Sequence, residues 1–225
     1  MAELIDLGRA PYHAVLSQMR ELHGRVARGE APETWLVVEH DPVITLGRNA
    51  KREHVHLSDA ALAARGIDLV AIERGGDATY HGPGQLVVYP IRKLERFREV
   101  SPLVAALERA VIAALATFGI EARGRSEHRG VYVGDNAICA IGLAVKQMTS
   151  LHGIALNVST ALDYDRLITP CGTPEFGITS IAHELRRPVA MSDARDALLV
   201  ACAEEFRLAF TPREAERAYD TARAN

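Results

Sequence analysis

Residues Glu73–Pro90 read ERGGDATYHGPGQLVVYP, and the fold turns on how this stretch is read. One apolar run, Leu69–Ile72, enters it and another, Leu86–Tyr89, leaves it. Between them lie Gly75, Gly76, Gly82 and Gly84, with Arg74, Thr79, His81 and Pro83 interleaved. Glycine admits backbone angles and close approaches that a side chain blocks. Two readings follow. The glycines wall a pocket into which a few polar groups point, or they are the turn residues of a long hairpin loop. The rest of the chain has to decide between them.

The 225 residues are 48% hydrophobic and 24% charged, enough for one sizeable core and short for two. Lys plus Arg number 26 against 29 acids, a net charge of -3, which leaves no footprint for a polyanionic partner. No run approaches 18 apolar residues, and the opening MAELIDLGRAP lacks the form of a signal peptide, so neither nucleic acid nor membrane is expected as a partner. Cys139, Cys171 and Cys202 are too few and too scattered for a disulfide framework; a reducing cytoplasm is the expected setting.

Pro11 opens a helix on which Tyr12, Val15, Leu16, Met19, Leu22 and Val26 share a face, and Gly29 ends it. Trp35–Glu39 and Val43–Leu46 read as short strands around a His40-Asp41-Pro42 turn. Ser58 caps a short helix that Gly66 stops, and Asp68–Glu73 and Leu86–Ile91 are strands on either side of the glycine stretch. Ser101-Pro102 starts a helix with Leu103, Leu107, Val111, Leu115 and Phe118 on one face; Gly119 follows it. After a polar loop, Glu121–Gly130, strands are expected at Val131–Val133, Ala137–Ile141, Leu143–Val145 and Ile154–Val158, with Gly142 as a break or bulge. Ser180 caps a helix reaching Arg187. Ser192 begins another, with Leu198, Leu199, Cys202, Phe206 and Ala209 inward. Thr211, Pro212 and Glu214 form a capping box for a polar terminal helix at about 212–223. This order suits an α/β (α+β) fold in a single domain, residues 1–225, better than strict βαβ alternation.

Cys171 stands between Pro170 and Gly172 outside any periodic apolar face, where a thiol is either an exposed nucleophile or a loop cysteine packed inward. Cys139 and Cys202 fall on apolar faces and read as core. No cysteine pair has zinc spacing, and His183-Glu184 lacks the second histidine of a helical zinc motif, so no metal is expected. The glycine stretch lacks the Gly-Lys-Ser/Thr ending of a phosphate loop. His54 and His56 lie in a charged loop; His81 and His152 each precede a glycine in what reads as a loop and serve either a pocket or the surface.

Five segments together resemble the lipoyl(octanoyl) transferase family: LVVEHDPVITLGR (Leu36–Arg48), RGGDATYHGPGQLVVYP (Arg74–Pro90), AIGLAVKQMTSLHGIALNVS (Ala140–Ser159), ITPCG (Ile168–Gly172) and ITS (Ile178–Ser180). The resemblance implies a biotin/lipoate ligase-like fold, a central mixed sheet flanked by helices with a smaller second sheet. It implies an octanoyl donor, octanoyl-acyl carrier protein. The implied acceptors are lipoyl domains of 2-oxoacid dehydrogenase E2 subunits and glycine cleavage H protein. No cofactor is implied, and the chain is expected to be a monomer. Cys171 matches the acyl-accepting cysteine. Arg74, Gly75, Gly76, Thr79, His81 and Gly82 fall on the segment that walls the acyl pocket. His152, Gly153, Ile154 and Ala155 fall on the segment opposite, whose backbone N–H groups would receive an oxyanion.

One position departs from the family. A catalytic lysine usually precedes the third segment's strand, and here that place holds Ala137. Lys146 is the nearby lysine, nine positions on, and is expected to take over proton transfer if a break at Gly142 restores its facing. The same resemblance leaves rivals open: an ATP-dependent lipoate or biotin ligase, an amidotransferase between carrier proteins, and a non-catalytic acyl-protein-binding module. Loss of the lysine that ligases need, together with the presence of Cys171, favours transfer.

Overall fold

The computed structural model describes residues 1–125, 129–169 and 176–215. Along the chain run β1 (Ala2–Ala10), α1 (Tyr12–Arg28), β2 (Thr34–His40), β3 (Val43–Leu46), α2 (Asp59–Ala63), β4 (Asp68–Ala71), β5 (Ala78–His81), β6 (Gln85–Ile91) and α3 (Val100–Thr117). There follow β7 (Arg123–Gly124), β8 (Gly130–Val133), β9 (Asn136–Lys146), β10 (Thr149–Asn157), β11 (Gly177–Ile178), α4 (Ile181–Leu185), α5 (Met191–Glu205) and β12 (Phe210–Pro212).

Two sheets share these strands. The larger has the order β12-β1-β2-β6-β10-β9-β8-β7, with β11 paired beside β9; the smaller is β4-β3-β5. Both are mixed: β1 is parallel to β2 and β12, whereas β2, β6, β10 and β9 alternate in direction. In the smaller sheet β3 runs parallel to β4 and antiparallel to β5. The expected turn at Asp41-Pro42 is therefore no hairpin. It carries the chain from one sheet to the other.

The centre of the large sheet is apolar on both faces because helices cover both. On one face α1 buries Tyr12, Val15, Leu16, Met19, Leu22 and Val26, the six residues expected from their spacing. Gly29 then closes the helix with φ 76 and donates its N–H to Val26 O. On the other face α3 buries Leu103, Leu107, Val111 and Leu115, and packs with α5 through Leu198 and Cys202. Cys139 and Cys202 are both buried in this layer, and burial pushes the Cys202 thiol up to about 12.

Several expectations are corrected. β1, β5, β7, β11 and β12 were not read from the sequence. His81 closes β5 and His152 lies inside β10, so neither is a loop residue. Thr211 and Pro212 belong to β12, paired with Glu3 and Leu4, rather than to a helix start; residues 216–225, where most of the expected terminal helix falls, lie outside the described residues. Gly142 is no break, since β9 passes through it in unbroken register with β10 from Lys146↔Thr149 to Cys139↔Leu156.

Candidate active site

The stretch Glu73–Pro90 is neither a plain hairpin loop nor a free wall. Its first half is stitched to both sheets: Gly75 N–H donates to Leu143 O of β9 at 2.9 Å, and Arg48 and Asn49 N–H donate to Arg74 O and Gly76 O. Gly76 has φ +84, a conformation that favours glycine. Arg74 is buried, and its guanidinium donates to Thr45 O and Thr45 Oγ1, each at 2.8 Å, and to Gly75 O at 3.0 Å. Those bonds hold a cation inside the protein at the junction of the two sheets.

Beneath this loop lies a cavity of about 410 Å³, within the range of small-ligand sites. Arg74, Gly75, Gly76, Thr79, His81, His152, Gly153, Ile154 and Ala155, all expected from the sequence, line it. Tyr12, Ile72, Asp77 and Tyr89 also line it and were missed. The burial of Tyr12 on an amphipathic helix was legible, but its place over this cavity was not. Gly82 does not line the cavity; a Cβ there would stand 2.2 Å from the Tyr80 hydroxyl. A smaller cavity shares Thr79, Ala140 and Ala155 with the first and is walled further by Ala137, Asn157, Tyr164, Ile168 and Ile178.

His81 opens a buried polar chain. Its Nδ1 meets Gln85 Oε1 at 2.7 Å; Gln85 Nε2 donates to Asn157 Oδ1 at 3.0 Å; Asn157 Nδ2 donates to Tyr164 Oη and to Thr179 O. Because Gln85 Nε2 is the donor to Asn157, Gln85 Oε1 is an acceptor and the His81 proton is assigned to Nδ1. Burial, and then neighbouring His40, hold the His81 pKa well below its ordinary value, so the imidazole is neutral.

His152 sits in β10 with φ 62, its side chain buried and its Nε2 3.8 Å from Glu73 Oε2. Burial lowers its pKa, against the pull of Glu73. Its N–H donates to Met19 Sδ at 3.4 Å, and Ile154 and Ala155 are paired with strands on both sides. Of the backbone groups expected to receive an oxyanion, the His152 N–H is directed to Met19 instead, and Ile154 and Ala155 lie in an inner strand of the ladder.

Glu73 gathers the cations of this region. Its carboxylate lies 2.8 Å from Arg20, 3.6 Å from Lys146 and 3.8 Å from His152. His152 and Arg20 beside it hold its pKa far below the usual carboxylate range. Lys146 is consequently not at the site. Its side chain is 57% exposed, pairs with Glu73 from outside, and lines neither cavity.

The alternation does reset, but elsewhere than expected. Tyr132 pairs with Ala137 and Val131 with Cys139, so Ile138 is the extra residue of a bulge, and Ile138 and Cys139 are buried in the same core layer. Ala137 thus returns to the face of Ala140 and Gly142. Even so, nine positions of extended strand, about 30 Å at roughly 3.3 Å per residue, separate it from Lys146. Cys171 lies outside the described residues. The chain on either side of its segment is placed: Ile168 pairs with Val55, and Gly177–Ile178 pair with Asn136–Ala137.

Comparison with known proteins agrees with this architecture. A model of the lipoyl protein ligase A/B catalytic domain matches residues 11–203. An octanoyltransferase of Alkaliphilus metalliredigens is 43% identical over 205 residues, covering 90% of this chain and 94% of that protein. One of Deinococcus radiodurans is 44% identical over 219 residues, 91% of this chain but only 64% of that longer protein. A crystal structure of lipoate-protein ligase A bound with ATP superposes with a TM-score of 0.79 over 96% of this chain and 90% of that one, at 19% identity, a likeness of fold alone. The fold is thus the biotin/lipoate ligase-like one, shared with ATP-binding enzymes. The sequence over nearly the whole domain draws the finer line, and by it the chain belongs to the octanoyltransferase family of acyltransferases.

Proposed function

We propose that this protein carries an octanoyl group from the phosphopantetheine thiol of octanoyl-acyl carrier protein, through a thioester on Cys171, to a lysine ε-amine. The acceptors are lipoyl domains of 2-oxoacid dehydrogenase E2 subunits and glycine cleavage H protein. The coarser statement, octanoyl transfer in protein lipoylation by an acyltransferase, follows from family membership. In the finer reading one domain spanning the chain works as a monomer in the cytoplasm.

One observation carries the finer reading. The 410 Å³ cavity shares Thr79, Ala140 and Ala155 with a second whose wall includes Ile168 and Ile178, described residues on either side of the Cys171 segment. An acyl chain lying in the first cavity would present its carbonyl toward that segment. A thioester is activated enough to acylate an amine, so the exchange needs no nucleotide, and splitting it at Cys171 turns one protein-to-protein transfer into two attacks at one carbonyl. Both protein substrates then use the same entrance in turn.

Intact-mass measurement after mixing the protein with octanoyl-acyl carrier protein tests this. One added octanoyl group, absent from Cys171→Ser, is expected; a folded protein that binds the donor and gains no mass overturns the covalent route. Ala137, which can neither take nor give a proton, favours one alternative, a module that binds acylated carrier proteins without reacting. Binding without an adduct is the result that reading requires.

A further inference from the structure

Among the described residues that wall the smaller cavity, Ala137 included, Arg129 is the one that carries a charge. Arg129 lines the larger cavity as well, so its side chain is common to both. Arg74, the other arginine along the larger cavity, already donates to Thr45 and Gly75. Arg129 makes no side-chain hydrogen bond among the described residues. Its guanidinium faces Glu108 Oε2 at 3.9 Å, too far for a hydrogen bond, and the side chain is 49% exposed. A guanidinium at the rim of a largely apolar chamber, with five donors and one distant partner, suits a planar anion.

The position is built outward from α3. Val100, Val104 and Glu108 recur every four residues along that helix and share one face. The two valines line the larger cavity. Glu108, buried one turn further on, accepts the Gly130 N–H through Oε1 at 3.1 Å. Gly130 in turn pairs with Ala140, which belongs to both cavity walls. The backbone that carries Arg129 is thus fastened to α3 on one side and to β9 on the other. Beyond the valines, the larger cavity presents Ile72, Ile141, Leu143 and Ile154 to whatever it encloses.

We propose that Arg129 binds the carboxylate of a free medium-chain fatty acid, octanoate in length, whose tail lies in the larger cavity. The proposal rests on that cavity being the octanoyl pocket. Arginine holds a carboxylate through two parallel N–H···O bonds and stays ionised at every working pH. Glu108 opposes a second carboxylate nearby, but its Oε1 is engaged with Gly130, and the guanidinium has donors enough for both anions. The bound acid is not activated, because its carbonyl carries no leaving group. It fills the pocket and competes with octanoyl-acyl carrier protein. The reaction that supplies it is hydrolysis of an octanoyl thioester, in which water takes the acyl group and a thiol departs.

Titration calorimetry on the full chain, with octanoate and octanamide as probes, tests this. Octanamide has the same tail and no charge, so it reports the pocket alone. Wild type is expected to bind octanoate about tenfold or more tightly than octanamide. Arg129→Gln should lose that preference while octanamide affinity and melting temperature stay near wild type, and Arg129→Lys should keep part of it. Carbon NMR of carboxyl-labelled octanoate adds a readout that a merely structural arginine would not move. The bound carboxyl should titrate at lower pH in wild type than in Arg129→Gln. Equal affinity of wild type for the two probes overturns the proposal, as does a folded Arg129→Gln that binds octanoate within about twofold of wild type. If Arg129→Gln does not fold, Arg129→Lys and the two probes on wild type decide. A wild type that binds neither probe overturns the octanoyl-pocket reading together with the proposal. Octanamide binding without any preference for octanoate leaves that reading standing and removes only the role of Arg129.

Discussion

Arg74 lies across Gly142 so closely that a β-carbon there would stand 3.1 Å from Arg74 Cδ and 3.4 Å from Gly75 O. The guanidinium is fixed at its far end by Thr45, so the stem cannot retreat without loosening two 2.8 Å bonds. Gly142→Ala is expected to destabilise the protein by about 1–2 kcal/mol and to slow acylation, because the loop over the cavity moves with Arg74. Chemical denaturation and intact-mass acylation check this; unchanged stability would mean that the stem yields.

Asn157→Ala removes the middle of the chain from His81 to Thr179. It leaves Gln85 Nε2 with only its 3.3 Å bond to Tyr80 O, and takes one bond from Tyr164 Oη and one from the Thr179 carbonyl in a buried place. A loss of about 2–3 kcal/mol in urea denaturation is expected.

Stability should fall with mild acid. His40 is fully buried; its Nδ1 faces Ala10 O, its Nε2 accepts from Tyr89 Oη at 2.8 Å, and Tyr12, His81 and Asp41 surround it. Desolvation lowers its pKa from 6.5 to about 4. Above pH 6.5 the imidazole is neutral folded and unfolded, and stability is full. Between 6.5 and 4 the unfolded chain takes the proton first, so stability drops by up to about 3 kcal/mol from this residue. His81 and His152, also lowered, add in the same direction. Glu73 acts later, as pH falls through the carboxylate range below 4.5. Urea midpoints at pH 7.5, 6 and 5 measure the slope, and His40→Asn should flatten it.

Lys146→Ala should leave stability within about 0.5 kcal/mol, since an exposed ion pair contributes little. Acylation and transfer should stay within twofold of wild type. Glu73→Gln should cost more than 1 kcal/mol, roughly, because its 13%-exposed carboxylate also meets Arg20 and His152. A tenfold slower Lys146→Ala would return the proton to that lysine.

Shortening the donor from octanoyl to hexanoyl withdraws two methylenes from the cavity, about 1.6 kcal/mol. A roughly 15-fold lower kcat/KM is the expected readout in donor-competition assays. Equal use of the two donors would show that the chain is not buried before acylation.

Helices were the legible part of this sequence, because a face repeated every three or four residues survives whatever packs against it. Tyr12 to Val26 show this, and all six expected residues are buried. β1 was invisible because its exposed and buried residues do not alternate cleanly, and its pairing with β2 shifts register between Asp6 and Arg9. β5 was hidden inside a stretch read for its glycines. The cavity wall came through because the Arg74–His81 and His152–Ala155 segments carry it almost continuously. The side-chain pairing beside it did not. His54 and Asp77 are 23 positions apart in sequence, and only the folding of the small sheet makes them neighbours. The reset of strand alternation was expected at a glycine; it fell on Ile138, where an ordinary apolar residue forms the bulge and leaves no mark in composition.

The outer edge of the large sheet is finished by β12, three residues whose last is Pro212, set opposite Leu4. Proline offers no N–H to a further strand, and so short an edge gives an incoming chain little to pair with. The strand also comes late. Glu3 and Leu4 are made early and wait for Thr211 and Pro212, so during synthesis the flank of β1 stays open to other nascent chains until nearly the whole domain has emerged. Until Phe210–Pro212 are in place, that side of β1 keeps its backbone groups without a strand partner.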